Sequence, residues 1–184
     1  MPTNNETHRL VIAPPEISEY SPYYGKYISL VAGDDIVTTL QHQINHSGRL
    51  LMAVSEERGD YRYAPEKWSV REVLGHVIDT ERIFAYRTLR ISRGDATPIE
   101  GFEQDDYVRN GPFGRCRVTE LVQEFAYVRE TTVFLFRSLD EGAWLRRGVA
   151  NKSEVSVRAL AYIIAGHEIH HRKILQEKYL LNPT

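Results

Sequence analysis

The sequence has a single cysteine, Cys116, so no disulfide can close within the chain. A lone thiol suits a reducing compartment, and the cytoplasm is the expected location. Cys116 itself reads as a small neutral residue in a connection rather than as a nucleophile. Excess charge is also scarce, with a formal net charge of -2. That excludes a global electrostatic pull toward nucleic acid or an anionic membrane surface. No apolar run approaches the roughly 20 residues that a membrane-spanning helix needs. The opening stretch, MPTNNETHRLVIAPPEIS, lacks the basic and apolar regions of a secretory signal. No internal repeat or low-complexity segment is present. What remains is 184 residues of ordinary globular composition, 42% hydrophobic and 26% charged, enough to bury one core.

Residues 1–33 read as an arm, because Pro2, Pro14, Pro15 and Pro22 forbid a continuous helix there. Residues 20–27 are dense in tyrosine. Simple surface packing is the leading reading for them, with a pocket-lining role as the alternative. Ile28, Leu30 and Val31 add apolar area, so the arm is expected to lie against the rest of the chain.

Residues 34–184 read as one helical domain. The first helix opens at Asp34 or Asp35 and carries Ile36, Leu40, Ile44, Ser47, Leu51 and Val54 at helical spacing. Residues 57–60 end it. The second opens with the capping-box pattern at Ser69 and Glu72 and runs to Gly94, with Val70, Val73, Leu74, Val77, Phe84 and Ile91 on its stripe. The third starts at about Thr119, carries Leu121, Phe125, Val128, Thr132, Leu135 and Leu139, and closes around residues 140–142. The fourth starts near Ser153 or Ser156 and runs to Leu180, with Val157, Leu160, Ala161, Ile164, Ile174 and Leu175 inward. Four such helices predict an all-α four-helix bundle. The first and third links are about ten residues each, while residues 93–117 make one of roughly twenty-five. Short links favour antiparallel neighbours. The long one predicts a crossover that leaves the second and third helices parallel, the alternative being a long flap between antiparallel helices.

The strongest chemical signal is GHEIHH at residues 166–171. His167 and His171 are one turn apart and fall inside the sector of Val157, Leu160, Ile164 and Leu175. Imidazoles on a core face are costly unless both nitrogens are satisfied, and a metal ion with a hydrogen bond behind it satisfies both. His170 projects about 100° away and reads as a rim residue. His42 and His46 share the i, i+4 spacing but face away from the first helix's stripe, so they read as exposed. His76, mid-helix at the edge of the second stripe, is the candidate third ligand. Thr80, Ile83 and Arg87 continue down its line. Three neutral histidines suit Zn, Ni, Fe or Cu, with Zn or Ni leading and Fe next, and leave positions open as a catalytic site does. The competing reading is a set of satisfied core or interface histidines.

Residues 68–82 (WSVREVLGHVIDTER), 155–160 (VSVRAL), 166–171 and the connection 101–107 (GFEQDDY) resemble the signatures of the DinB-like superfamily, and within it the YfiT-like metal-dependent enzymes. The resemblance runs from Tyr23 to Tyr179. It implies a four-helix bundle with a long crossover and a three-histidine metal site at His76, His167 and His171. It also implies thiol S-transfer with bacillithiol, mycothiol or another low-molecular-weight thiol as co-substrate, mycothiol-dependent isomerisation, or hydrolysis by metal-bound hydroxide. A non-enzymatic metal-binding or stress-response bundle is the reading from another class. The expected partner is a small-molecule substrate, with no nucleic acid and no membrane, and a homodimer is the assembly allowed for.

Arg87 and Tyr107 are the candidate substrate-binding residues. A guanidinium can grip a carboxylate with two hydrogen bonds, the competing reading for Arg87 being a surface ion pair. Asp105, Asp106 and Tyr107 lie in the crossover, where they can cover a metal mouth. Glu81, on the apolar side one turn past His76, reads as a partner for a buried polar group rather than a general base. Trp68 is expected to pack at the start of the second helix.

Overall fold

The structure, a computed structural model, describes residues 11–33 and 35–180. The arm's first ten residues with Pro2, the alternative cap Asp34, residues 181–184 and the Leu180 side chain lie outside that description. In chain order the helices are α1 (Gly25–Ile28), α2 (Ile36–Met52), α3 (Val70–Ser92), α4 (Gln104–Asn110), α5 (Val118–Arg137), α6 (Glu141–Leu145) and α7 (Val157–Ile174). A hairpin, β1 (Arg147–Ala150) with β2 (Ser153–Ser156), precedes α7, and a π turn (Leu175–Leu180) follows it.

The four long helices α2, α3, α5 and α7 form a bundle. Three begin on the caps their sequence offers. Asp35 accepts from Val37 N at 3.1 Å, Ser69 and Glu72 close a capping box, and Ser156 accepts from Ala159 N at 3.0 Å. The fourth, α5, starts one residue before Thr119. A distant carboxylate takes its first amide, with Val118 N on Glu56 Oε2 at 3.0 Å.

Side-chain pairs fix the helix directions. The start of α3 meets the start of α5 and its middle meets the middle: Arg71 donates to Cys116 O just ahead of α5, while Arg82 and Glu81 meet Glu124 and Arg129 within it. The two helices are therefore parallel, and residues 93–117 run back the length of the bundle between them. Along α2 and α5 the partners run opposite ways, Arg137 donating to Gln41, Arg129 to Gln43, and Val118 to Glu56. α7 lies antiparallel to α3, with His76 against His167 and Trp68 against Tyr179.

One expectation needs correcting here. The short links do join antiparallel helices, but not neighbours. α2 packs on α5 and α7, and α3 packs on α5 and α7, so α2 and α3 sit across a diagonal. The links themselves are longer than the expected ten residues, spanning residues 53–69 and 138–156, long enough to cross the bundle corner to corner, so link length decides direction better than adjacency. The hairpin was also not foreseen in the third link, because strands of four residues leave too little alternation to read. Its turn residues Asn151 and Lys152 sit at φ 50° and 62°, the mirror-image turn that matches strand twist. Ile99 of the crossover bridges to its edge.

The interior has three levels. One apolar cluster holds Leu40, Phe84, Phe136, Leu160 and Ile163 with their neighbours. The other holds Leu51, Leu74, Phe113, Leu121 and Leu175 with theirs. Between them, every long helix contributes buried polar side chains: Gln43 and Ser47, His76, Thr80 and Glu81, Arg129 and Thr132, His167, Glu168 and His171. The arm lies against this body. Tyr162 donates to Ile12 O at 3.1 Å, and Glu19 accepts from Ser156 Oγ at 2.6 Å and Arg158 Nε at 2.8 Å. A carboxylate at the α7 N-terminus is also favoured by the helix dipole.

Candidate metal centre

Helical periodicity on α7 puts His167 and His171 on one face, and the antiparallel α3 presents His76 opposite them. The three rings converge. His76 Nε2 and His171 Nε2 each lie 3.1 Å from His167 Nε2. Among the described residues, these three form the group whose donor atoms stand close enough to share one ion. Donors about 2.0–2.1 Å from an ion in tetrahedral directions stand about 3.3 Å apart, close to this spacing. Without a cation between them, His76 and His171 would have to donate their Nε2–H groups to His167 Nε2; with the Nε2 lone pairs facing inward instead, a cation is what the three nitrogens can share.

The residues His76, His167 and His171 are 4%, 6% and 9% exposed. Burial pushes His76 down to about 4, with the charge of His170 adding to it. Burial, then the neighbouring histidines, holds His167 and His171 well below the usual imidazole range. All three are neutral at pH 7, the form that ligates. Thr80 Oγ1 lies 3.4 Å from His76 Nδ1, a partner on the side away from the cluster.

Aromatic rings hold the imidazoles in place. Trp68 packs on His76 at 4.7 Å between centroids, and Tyr27 stands edge-on to His167 and to His170 at 5.3 Å. Tyr27 reaches there because α1 passes directly over Gly166. A Cβ at that position would stand 2.0 Å from the Tyr27 carbonyl oxygen, so only glycine lets the arm approach so closely.

A cavity of about 340 Å³ opens beside the cluster, within the range of small-molecule sites. Its α3 wall is His76, Thr80, Phe84 and Arg87, one helix face, and His167 meets it from α7. Tyr23, Tyr24 and Tyr27 line the arm side, which corrects the expectation of simple surface packing. Phe102 and Asp105 of the crossover, with Asn151 of the hairpin turn, complete the walls. Burial raises the Tyr24 phenol, the Arg87 charge opposing it, and burial likewise raises Tyr27.

Arg87 is 2% exposed, not a surface residue, and forms no ion pair among the described residues. It lies in the cavity wall. Tyr107 does not: its side chain is about half exposed and packs edge-on against Phe102. Asp106 is exposed and pairs with Arg109. His42 and His46 are exposed, and His170 is half-buried at the rim. Glu81 is held by Arg129, Nε to Oε1 at 2.7 Å and Nη2 to Oε2 at 2.8 Å, the buried-partner role expected of it. Cys116 is half-buried against Pro112 O, away from the cavity.

Sequence reasoning missed Arg129, which is fully buried. The signal was there, since Arg129 stands four residues after Phe125 and three before Thr132, inside the α5 stripe. It also missed Gln43, whose amide donates to Ala165 O at 2.9 Å and which accepts from Arg129. Glu168 was missed as well; it accepts from Ser47 and from Arg172.

Fold and site together define a class, a four-helix bundle with one long crossover and a buried three-histidine cluster beside a cavity that His76 and His167 line. The sequence pattern of the DinB superfamily matches residues 39–175, well over half of the chain, and the protein belongs to that superfamily. Among solved structures it is similar to YfiT from Bacillus subtilis, a probable metal-dependent hydrolase with an unusual four-helix bundle topology. The identity is 14%, the TM-score 0.68, and 89% of each chain is covered. It is also similar to the mycothiol-dependent maleylpyruvate isomerase, at 13% identity and TM-score 0.62, over 74% of this chain and 57% of that one. At these identities the likeness establishes the fold. No curated protein matches the sequence. Among the described residues, no helix is long and apolar enough to cross a membrane.

Proposed function

We propose that the protein is a metal-dependent enzyme that conjugates a low-molecular-weight thiol to a small electrophile. The observation that carries this reading is the convergence of three buried, neutral imidazole nitrogens, two of whose residues, His76 and His167, line a cavity large enough for a substrate. His76, His167 and His171 would hold one divalent ion, Zn or Ni first and Fe next. Bound there, the ion supplies positive charge that lowers the pKa of a thiol or water beside it.

The protein's own residues do the rest. Three neutral ligands leave the ion's charge uncancelled, which favours an anionic sulfur. Tyr27 and Trp68 restrict how the rings can turn. Tyr23, Tyr24, Phe84 and Phe102 give the cavity apolar walls that limit water. Among the described residues no cysteine lines the cavity, so the reacting thiol comes from a co-substrate. Hydrolysis is the second reading, supported by the likeness to YfiT over 89% of both chains.

Elemental analysis of untagged protein tests the metal. One divalent ion per chain is expected, with sharp loss in His76→Ala, His167→Ala and His171→Ala and none in His42→Ala or His170→Ala. Unchanged metal content in His167→Ala and His171→Ala refutes the site. Conjugation of monobromobimane with bacillithiol, mycothiol, coenzyme A or glutathione, lost in His76→Ala, supports transfer. Metal-dependent ester or amide hydrolysis without conjugation moves the assignment to the hydrolase.

A further inference from the structure

Arg87 lines the same cavity as His76 and His167. It follows His76 by eleven residues, so the two share a helix face about 16 Å apart along the axis. Arginine side chains on helices lean toward the helix N-terminus, which brings the guanidinium back toward the cluster. A ligand touching both ends is therefore several ångströms long, the size of a small organic acid.

The guanidinium is in an unusual state. It is 98% buried, and a buried charge ordinarily has an ionic partner. Among the described residues no carboxylate lies within ion-pair distance of it. Its Nε has no hydrogen-bond acceptor. Nη2 donates to a backbone carbonyl, Glu100 O at 3.2 Å, and the Tyr24 hydroxyl beside the guanidinium is a neutral partner rather than a counter-ion. Phe84 and Phe102 flank the group at 5.2 and 5.9 Å, holding its position without neutralising it. The same bundle shows what such a group takes when it is satisfied, since Arg129 uses Nε and Nη2 to grip the Glu81 carboxylate. Glu103 and Asp105 line the cavity too, but both are exposed at its outer edge, where water screens them.

We propose that Arg87 is the anchor for the carboxylate of a small, partly apolar substrate, whose other end points to the histidine cluster. The proposal rests on the metal-enzyme reading for what happens at that other end, and not for the binding itself. The carboxylate can belong to the electrophile or to the thiol, and the probes separate these.

Binding of four probes, measured by calorimetry, tests the idea: 3-phenylpropionate and its amide, and N-acetylcysteine and its amide. Each is titrated into protein as purified and after chelator treatment. At least one acid is expected to bind about ten-fold more tightly than its amide, before and after chelation. The acid preference is expected to vanish in Arg87→Gln and to survive in part in Arg87→Lys, with circular dichroism confirming the fold. Preference in the phenylpropionate pair assigns the carboxylate to the electrophile; preference in the N-acetylcysteine pair alone assigns it to the thiol. Equal binding of acids and amides overturns the proposal without recourse to any variant, and so does no binding of any probe. An acid preference kept in Arg87→Gln but lost on chelation also overturns it, since the carboxylate then binds the ion. Absence of metal from the purified protein would remove the enzyme reading and leave the acid–amide comparison intact.

Discussion

Arg129 and Arg87 are both sealed inside the bundle, 0% and 2% exposed, and their surroundings differ in kind. Arg129 sits in the polar level between two apolar clusters and meets Glu81, Gln43 and the Leu40 carbonyl. Arg87 sits in the cavity wall three turns along α3 from His76 and meets one backbone carbonyl, the Tyr24 hydroxyl and two aromatic faces. A charge whose donors are filled internally ties helices together. A charge left without a counter-ion in a cavity wall is kept for something from outside. The histidines belong with Arg87, since their Nε2 atoms converge on one another beside the cavity.

The largest expected effect breaks the satisfied side. Arg129→Met leaves Glu81 buried and unpaired, and should destabilise the protein by about 3–5 kcal/mol in urea denaturation. The double variant Arg129→Met/Glu81→Leu should recover much of that, because the loss comes from the stranded charge. A single variant within experimental error of wild type would show that water reaches Glu81.

Next is the arm. Gly166→Ala forces a methyl group against the Tyr27 carbonyl, so α1 must lift, at about 1–3 kcal/mol in thermal melts. Faster proteolysis ahead of α2 should accompany it. A variant that melts and resists protease like wild type would mean that α1 does not lie on α7.

Acid should loosen the arm at its other contact. Burial alone would raise the Glu19 pKa, but hydrogen bonds from Arg158, Ser156 and the Glu16 amide, with the Arg158 charge, bring it down to about 2. The unfolded value is about 4.3, so this contribution is full above that pH and fades as pH falls toward 2. Glu19→Gln should lower stability at pH 7 by about 1–2 kcal/mol and flatten the acid dependence between those values. Parallel pH–stability curves for variant and wild type would show that the pair adds nothing.

The smallest effect completes the comparison. Arg87→Met removes a buried charge with no ionic partner, so stability should change by less than about 1 kcal/mol, or rise. A loss as large as that of Arg129→Met would mean that Arg87 is structural.

Much of this was legible in the chain. The stripes on α2, α3, α5 and α7 place the long helices, and the caps at Asp35, Ser69 and Ser156 place three of their starts. The hairpin escaped because its strands are four residues long. The tyrosines of residues 23–27 were read as surface because the arm has no periodicity to show which side it turns inward.

The sequence by itself determined which histidines can meet. Helical periodicity is a local property, so the spacing of His167 and His171 and the stripe around His76 already state which faces they occupy. Only the tertiary structure decided what surrounds them. That Arg129 finds Glu81 while Arg87 finds no acid depends on which residues of separate helices come to the same level. So does the closure of the site by Tyr27 across Gly166. Those levels are set by packing between segments far apart in the chain, such as Tyr27 against Gly166 and His167, and no local pattern records the register between two helices.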